Sequence, residues 1–201
     1  MKTAIAMPER VARLPQDSRG YPIPWNVLKA GDGTPFFIVN DDRKAFRALR
    51  ENRCPICGEH LGRWRWLVGG PLSAFDPNGY YFDLPGHRDC IEYALQVCPY
   101  LAIPKYLRHT DAIAHAEKLP PECRVLLDET IIPERPEVMV AVCAAKIELA
   151  DRGPLQPYLK PVQPFTDWTY WRHGKQINEA QAMPYLRAAL GAGWTPPGRA
   201  E

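Results

Sequence analysis

The 201-residue chain is 46% hydrophobic and 24% charged, the balance of a folded globular protein with room for one sizeable core. Its formal net charge of +2 argues against wholesale neutralisation of phosphates, and it holds no run of about 18 apolar residues that could form a membrane-spanning helix. The 22 prolines, roughly twice the usual share, break the chain into short elements and exclude long helices.

The first residues carry Lys2 and a few apolar side chains, but Glu9, Arg10 and Arg13 interrupt any signal core, so the chain reads as cytoplasmic. In that compartment six cysteines point to metal ligands or buried thiols sooner than to disulfides. Residues 1–34 are rich in proline and glycine, and LPQDSRGYPIPW reads as an extended arm that lays Tyr21, Ile23 and Trp25 on a neighbouring surface. FFIVN, residues 36–40, is a short strand. Asp41 then caps a helix that runs to about Asn52 and turns Phe46 and Leu49 inward. On that helix Arg43, Arg47 and Arg50 fall at i, i+4 and i+7 and share an outward stripe flanked by Lys44, either a solvated face or a contact for an anion or nucleic acid.

Further on, RWRWLVGG alternates Arg63, Arg65 and Leu67 with Trp64, Trp66 and Val68, the pattern of a half-buried strand. DPNGYYF supplies a turn at Pro77, Asn78 and Gly79 and then a second strand, so the pair forms a hairpin-like excursion. PGHRDCIEYALQVCPYL follows as a helix of about twelve residues ended by Pro99. Beyond it come a short helix DAIAHAEKL, an apolar segment CRVLL, and a stronger strand over Glu137 to Cys143. RGPLQPYLKPVQP reads as a connecting loop. The last segment reads as strand, glycine turn and helix, with Asn178 and Gln181 spaced for a capping box, Gly191 placed to end the helix, and Pro184 arguing for a kink or a later start.

The chemistry concentrates in CPICGEH and HRDC. Zinc favours four soft or borderline donors in a tetrahedron, and a CxxC pair on a tight turn ending in glycine presents two thiolates from one loop. Cys54, Cys57 and Gly58 match that pattern. His87 and Cys90 sit three residues apart at the start of a helix, where both side chains leave the same first turn. The spacing Cys-x2-Cys-x29-His-x2-Cys resembles the treble-clef zinc finger, in which a knuckle, a hairpin and a helix converge on one ion. Cys98 lies about 12 Å further along a continuous helix, too far to share an ion bound at about 2.3 Å, and reads as a buried apolar thiol. His60 is a candidate hydrogen-bond partner of the ligands. Four donors close the shell, which favours a structural ion over a catalytic one with an open position.

A treble clef also carries nucleases of the HNH type, but these need a histidine in the hairpin and none stands between Gly62 and Pro85. Pairings of Cys123 or Cys143 with His109, His115 or His173 have no local support as nucleophile and base, and no phosphate loop or dinucleotide fingerprint is present.

Three blocks, LPQDSRGYPIPW, CPICGEHLG and GHRDCIEYALQVCPYL, resemble a family of uncharacterised proteins of bacteria, notably actinobacteria, and their phages. Its pattern reads LPxDxRGYPxPW, CxxCGxxLG and HRDCxxYAxxxCPxL, and the match covers about residues 7 to 102. The resemblance implies Cys54, Cys57, His87 and Cys90 as a metal quartet, adds Arg19, Gly20, Tyr21 and Pro22 as further family positions, and brings no known activity. Pro55 stands where the family commonly has an aromatic residue.

The sequence therefore predicts an α+β protein. Residues 1–110 form a treble-clef-like zinc-binding domain with an N-terminal arm, and residues 111–201 form a smaller strand and helix extension packed on it. The expected function is a non-enzymatic, zinc-stabilised binding protein, of bacterial or phage origin as the resemblance implies, whose partner is protein or nucleic acid and not a membrane. The alternative is a metal-dependent nuclease or other hydrolase on the same platform. For nucleic acid the expected contacts are Arg43, Arg47, Arg50, Arg63 and Arg65.

Overall fold

The computed structural model describes residues 5–103, 136–150 and 158–199, a mixed α+β arrangement; the expected helix DAIAHAEKL and the CRVLL segment lie outside those residues. In chain order the elements are α1 (Glu9–Ala12), β1 (Val27–Lys29), β2 (Pro35–Asn40), α2 (Asp42–Glu51), β3 (Arg65–Gly69), α3 (Pro71–Phe75), α4 (Arg88–Val97), α5 (Pro99–Ala102), β4 (Met139–Ala144), β5 (Ile147–Ala150), β6 (Tyr158–Pro161), β7 (Asp167–Arg172), β8 (Lys175–Ile177) and α6 (Glu179–Leu190). Among the described residues the strands make a four-stranded antiparallel sheet, β3-β4-β7-β8, and two small antiparallel pairs, β1-β2 and β5-β6.

The centre of the large sheet is β4, whose six residues are all buried. A strand buried on both faces needs an apolar side chain at every position, and MVAVCA supplies one. Val140, Val142 and Ala144 face one layer, where Ala74 and Phe75 of α3 and Ala182 and Leu186 of α6 cover them. Met139, Ala141 and Cys143 face the other, against Ile91 and Leu95 of α4. Both neighbouring strands obey the same alternation. Leu67 of β3 and Trp168 and Tyr170 of β7 join the first layer, while Trp66 and Trp171 join the second. The sheet is thus covered by helices on both sides, so β3 buries Trp66 on one face and Leu67 on the other, while Arg65, Val68 and Gly69 stay partly exposed. Along its length β3 pairs with β4, Arg65 opposite Ala144 and Gly69 opposite Val140, so strands from the two halves of the chain share one sheet.

That pairing replaces the expected hairpin between β3 and the residues after Gly79. The chain leaves β3 into α3, with Pro71 at the first helical turn, where a missing N–H costs nothing. Tyr81 then pairs with Leu159 of β6 through two backbone bonds of 2.9 Å, and Tyr158 packs between the rings of Tyr80 and Phe82 at centroid distances of 6.0 and 4.9 Å. Within RGPLQPYLKPVQP, expected as a connecting loop, Tyr158–Pro161 instead form β6 and make that contact. What returns to β3 is Gly86, bridged to Trp66 by bonds of 3.0 and 2.8 Å just before α4 begins.

Local signals in the remaining elements hold. Asp41 accepts from Arg43 N and Lys44 N to start α2, and Asn52 ends it in the left-handed region at φ 51°. Phe46, however, points outward. The inward stripe of α2 is Ala48 with half-buried Leu49, and residues two apart on a helix lie about 200° apart, so burying Ala48 expels Phe46. Asn178 and Gln181 complete the capping box of α6, with bonds of 2.9 and 3.0 Å, and the helix starts there and runs through Pro184. Cys98 caps the end of α4 and is half-buried, because the helix turns into α5 at that residue. No helix of the described residues is long and apolar enough to cross a membrane.

Leu67 is fully buried in the layer under α3 and α6. Leu67→Ala is expected to lower unfolding free energy by about 2–5 kcal/mol, read as a shift in the urea midpoint with an unchanged slope.

Candidate metal centre

The knuckle forms because CPICG must reverse within a few residues. Arg53 and His60 bridge as antiparallel partners, Cys54 N donates to Glu59 O at 2.9 Å, and Gly58 N donates to Cys54 O at 2.8 Å. Gly58 closes the turn at φ 78°, where a side chain is strained, and a Cβ there meets the Trp25 ring at 2.7 Å. The arm reaches that spot through its backbone. Trp25 N donates to Ile56 O at 2.8 Å and Asn26 N to Pro55 O at 3.0 Å, so the expected arm is hydrogen-bonded to the knuckle itself. Upstream, Asp17 accepts from the N–H groups of Arg19 and Tyr21, both at 2.9 Å, and Gly20 takes φ 82°. The DSRGY positions are thus a turn held by one carboxylate, which leaves Ile23 buried and Tyr21 exposed.

The second half of the site comes from α4. His87 is its N-cap residue in extended backbone, and its imidazole is turned away from the helix N–H groups; Cys90 is in the first turn. The ligand atoms of Cys54, Cys57, His87 and Cys90 lie within 4.8 Å of one another. Cys57 Sγ and His87 Nδ1 are 3.4 Å apart, close to the roughly 3.5 Å edge of a tetrahedron built with Zn–S of about 2.3 Å and Zn–N of about 2.0 Å. Among the described residues this Cys3His group could hold one metal ion, and its donor set suits zinc.

Three further features tune it. The other imidazole nitrogen, Nε2, donates to the carbonyl of His60 at 3.0 Å, which fixes the tautomer and leaves the Nδ1 lone pair free for a metal. His60 does partner the ligands, then, but through its backbone, and its own ring is exposed. Crowding of the thiols polarises them. Hydrogen bonds from the Cys57 and then the Cys90 side chains pull the Cys54 thiol far below its usual range, and those bonds to Cys54 and Cys57 push Cys90 far above it. A divalent ion held by the group would favour the ionised thiols. Finally, Arg10 of α1 binds Asp89 of α4 at 3.0 Å and Glu59 of the knuckle at 3.3 Å. Partial burial works against its charge, but Asp89, Cys90, Glu59 and Cys57 together raise its pKa. Three thiolates around a dication leave one net negative charge, and Arg10 sits where it offsets that charge. Val11 beside it covers the cluster together with Leu61 and Tyr93. Neither Arg10 nor the one-turn helix α1 could be read from the sequence, where the segment shows only proline-flanked mixed residues.

Space at the centre is closed by Gly86, where a Cβ meets Ile91 at 3.0 Å and Cys54 Sγ at 3.4 Å. Cys98 and Cys143 lie outside the group of ligand atoms.

The basic residues do not converge as one set. Arg47, Arg50 and Arg53 gather on Glu51, at 3.1, 3.2 and 2.7 Å, and Arg53 also donates to the knuckle carbonyl of Gly58 at 2.9 Å. Arg43 is exposed on the preceding turn of α2. Arg63 lies over the Trp64 ring at 4.9 Å, while Arg65 belongs to β3 and donates to the carbonyl of Ala145.

Gly58→Ala is expected to cost about 2 kcal/mol or more, from left-handed strain and the clash with Trp25, and to weaken metal retention; Gly62→Ala, with open space around it, is the matched control in thermal melts and metal titration. Bonds from Arg53, Arg47 and Arg50 hold the Glu51 carboxyl down at about 2, below its ordinary 4.5. Its contribution is therefore complete above pH 4.5 and lost as pH falls towards 2, and Glu51→Gln removes that part of the acid dependence of stability.

No family model matches the chain, and neither a curated protein nor a solved structure matches it.

Proposed function

We propose that the protein is a non-enzymatic binding module whose N-terminal half is organised by one structural zinc ion in a treble-clef-like site. The observation that carries this reading is the completeness of the donor set: three thiols and an imidazole nitrogen within 4.8 Å of one another, with Cys54 and Cys90 fully buried, supply four ligands and leave no position for a reacting water. The order knuckle, β3, Gly86 bridge and α4 supports the treble-clef description, with the hairpin reduced to the Trp66–Gly86 pair and the residues between forming an insertion. A cleft of about 350 Å³ beside α4, lined by Glu9, Asp89 and Glu92, contains acids that could serve a hydrolase. Each is instead tied to an arginine: Glu9 to Arg13, Asp89 to Arg10 at 3.0 Å and Glu92 to Arg88 at 2.8 Å. The acids of the cleft are thus engaged in ion pairs within the fold.

The apparent affinity of a structural zinc site, about 10–16 kcal/mol in isolated fingers, matches or exceeds the whole stability of a typical domain, about 5–15 kcal/mol. Elemental analysis is therefore expected to return one zinc per chain, and a strong chelator to abolish the cooperative melt. Cys90→Ser is expected to do the same. Metal-free protein with an unchanged melting temperature would overturn the reading.

A further inference from the structure

Among the described residues the exposed large aromatics are Tyr21 at 51%, Phe37 at 37%, Phe46 at 67% and Trp64 at 47% accessible. All four lie before residue 65, and each has an arginine beside it. Arg19 lies over both Tyr21 and Phe37, at 5.2 and 5.6 Å from their centroids. Arg63 covers Trp64 at 4.9 Å. Phe46 stands in the middle of the α2 stripe, three residues after Arg43 and four before Arg50, so all three share one exposed face.

A phenylalanine two-thirds exposed among arginines contributes nothing to the core. The segments that carry these pairs are tied to the knuckle: the arm through Trp25 and Ile56, α2 through Arg53 and Gly58, and Trp64 shortly after Leu61, whose N–H bonds Asn52 O at 2.7 Å. Around Glu51 three guanidiniums face one carboxylate, which leaves positive charge uncompensated and holds the forks in place.

We propose that these arginine–aromatic groups around the knuckle bind single-stranded nucleic acid, with arginines on the phosphates and Phe46, Trp64, Tyr21 and Phe37 each offering a ring face to an unstacked base. The inference rests on the reading of the protein as a zinc-organised binding module. Charge complementarity selects a polyanion, and the interleaved rings select one with free base faces, since the bases of a duplex are already stacked. Of the arginines expected from the sequence, Arg65 is not in these groups: it belongs to β3 and its guanidinium donates to the Ala145 carbonyl.

The test is fluorescence anisotropy of full-length, zinc-loaded protein with a labelled 20-nucleotide oligo-dT strand, the matching dA·dT duplex and polyglutamate, at two salt concentrations. The single strand is expected to bind more tightly than the duplex, with affinity falling as salt rises. Phe46→Ala and Trp64→Ala should each weaken it by roughly five- to 150-fold, the span of base–aromatic stacking, and Arg43→Gln should reduce the salt slope. Zinc content and melting temperature, measured on the same preparations, separate the two proposals: intact zinc and stability with no binding to the strand at 50 mM salt overturns this inference alone, while absent zinc overturns the earlier one. Equal binding of polyglutamate overturns it in favour of a protein partner, and unchanged affinity of both alanine variants overturns the stacking role.

Discussion

Helix α4 serves two cores at once, and the rest of the molecule is arranged around that double duty. Ile91 and Leu95, one turn apart, lie on the sheet against Met139, Ala141 and Trp171. Cys90, Tyr93 and Val97, on the adjoining stripe, face the knuckle and α1. His87 just ahead of the helix completes the cluster. A ten-residue helix is marginal on its own in water, so both its position and its existence depend on these contacts. The Cys3His group lies at one end of α4 while the sheet holds its flank. The orientation of the knuckle relative to the sheet follows from that shared element.

The backbone of the arm and the charge of α1 complete the arrangement. Proline-rich segments make few internal hydrogen bonds, yet buried amide groups must find partners. Here the knuckle supplies them, its carbonyls at Pro55 and Ile56 receiving the N–H groups of Asn26 and Trp25. Arg10 then bridges the two ligand-bearing segments through Glu59 and Asp89. An ion-paired arginine at a partly exposed position adds little stability alone. Next to a cluster of thiolates its value is electrostatic, because it balances negative charge where solvent access is limited.

What could be read from the sequence divides by the range of the interaction involved. Caps and turns are local: Asp41 with its helix, the Asn178–Gln181 box and the turn at Gly58 all follow from a few neighbouring residues. The quartet of ligand residues was legible because metal chemistry restricts residue type and spacing so tightly, and the structure brings those four side chains together. Sheet partners were not. Residues 80–82 have the composition of a strand, but which strand they join depends on Tyr158 and Leu159, far along the chain. β1, β5 and β8 are three or four residues long, below the length at which alternation carries a signal. Hydrophobicity alone would turn Phe46 inward on α2, but the small residues Ala45 and Ala48 fill the tight inward side and leave Phe46 exposed.

The pairing of β3 with β4 has a consequence for biosynthesis. Arg65–Gly69 emerges from the ribosome roughly 70 residues before Met139–Ala144, a delay of about 4–15 s at ordinary elongation rates. Once Cys90 has followed, the nascent chain carries the arm and all four residues of the Cys3His group, yet Trp66 and Leu67 still have no strand to lie beside. The N-terminal portion must therefore wait with an open apolar ribbon, a period in which a chaperone able to shield two large side chains has the most to protect.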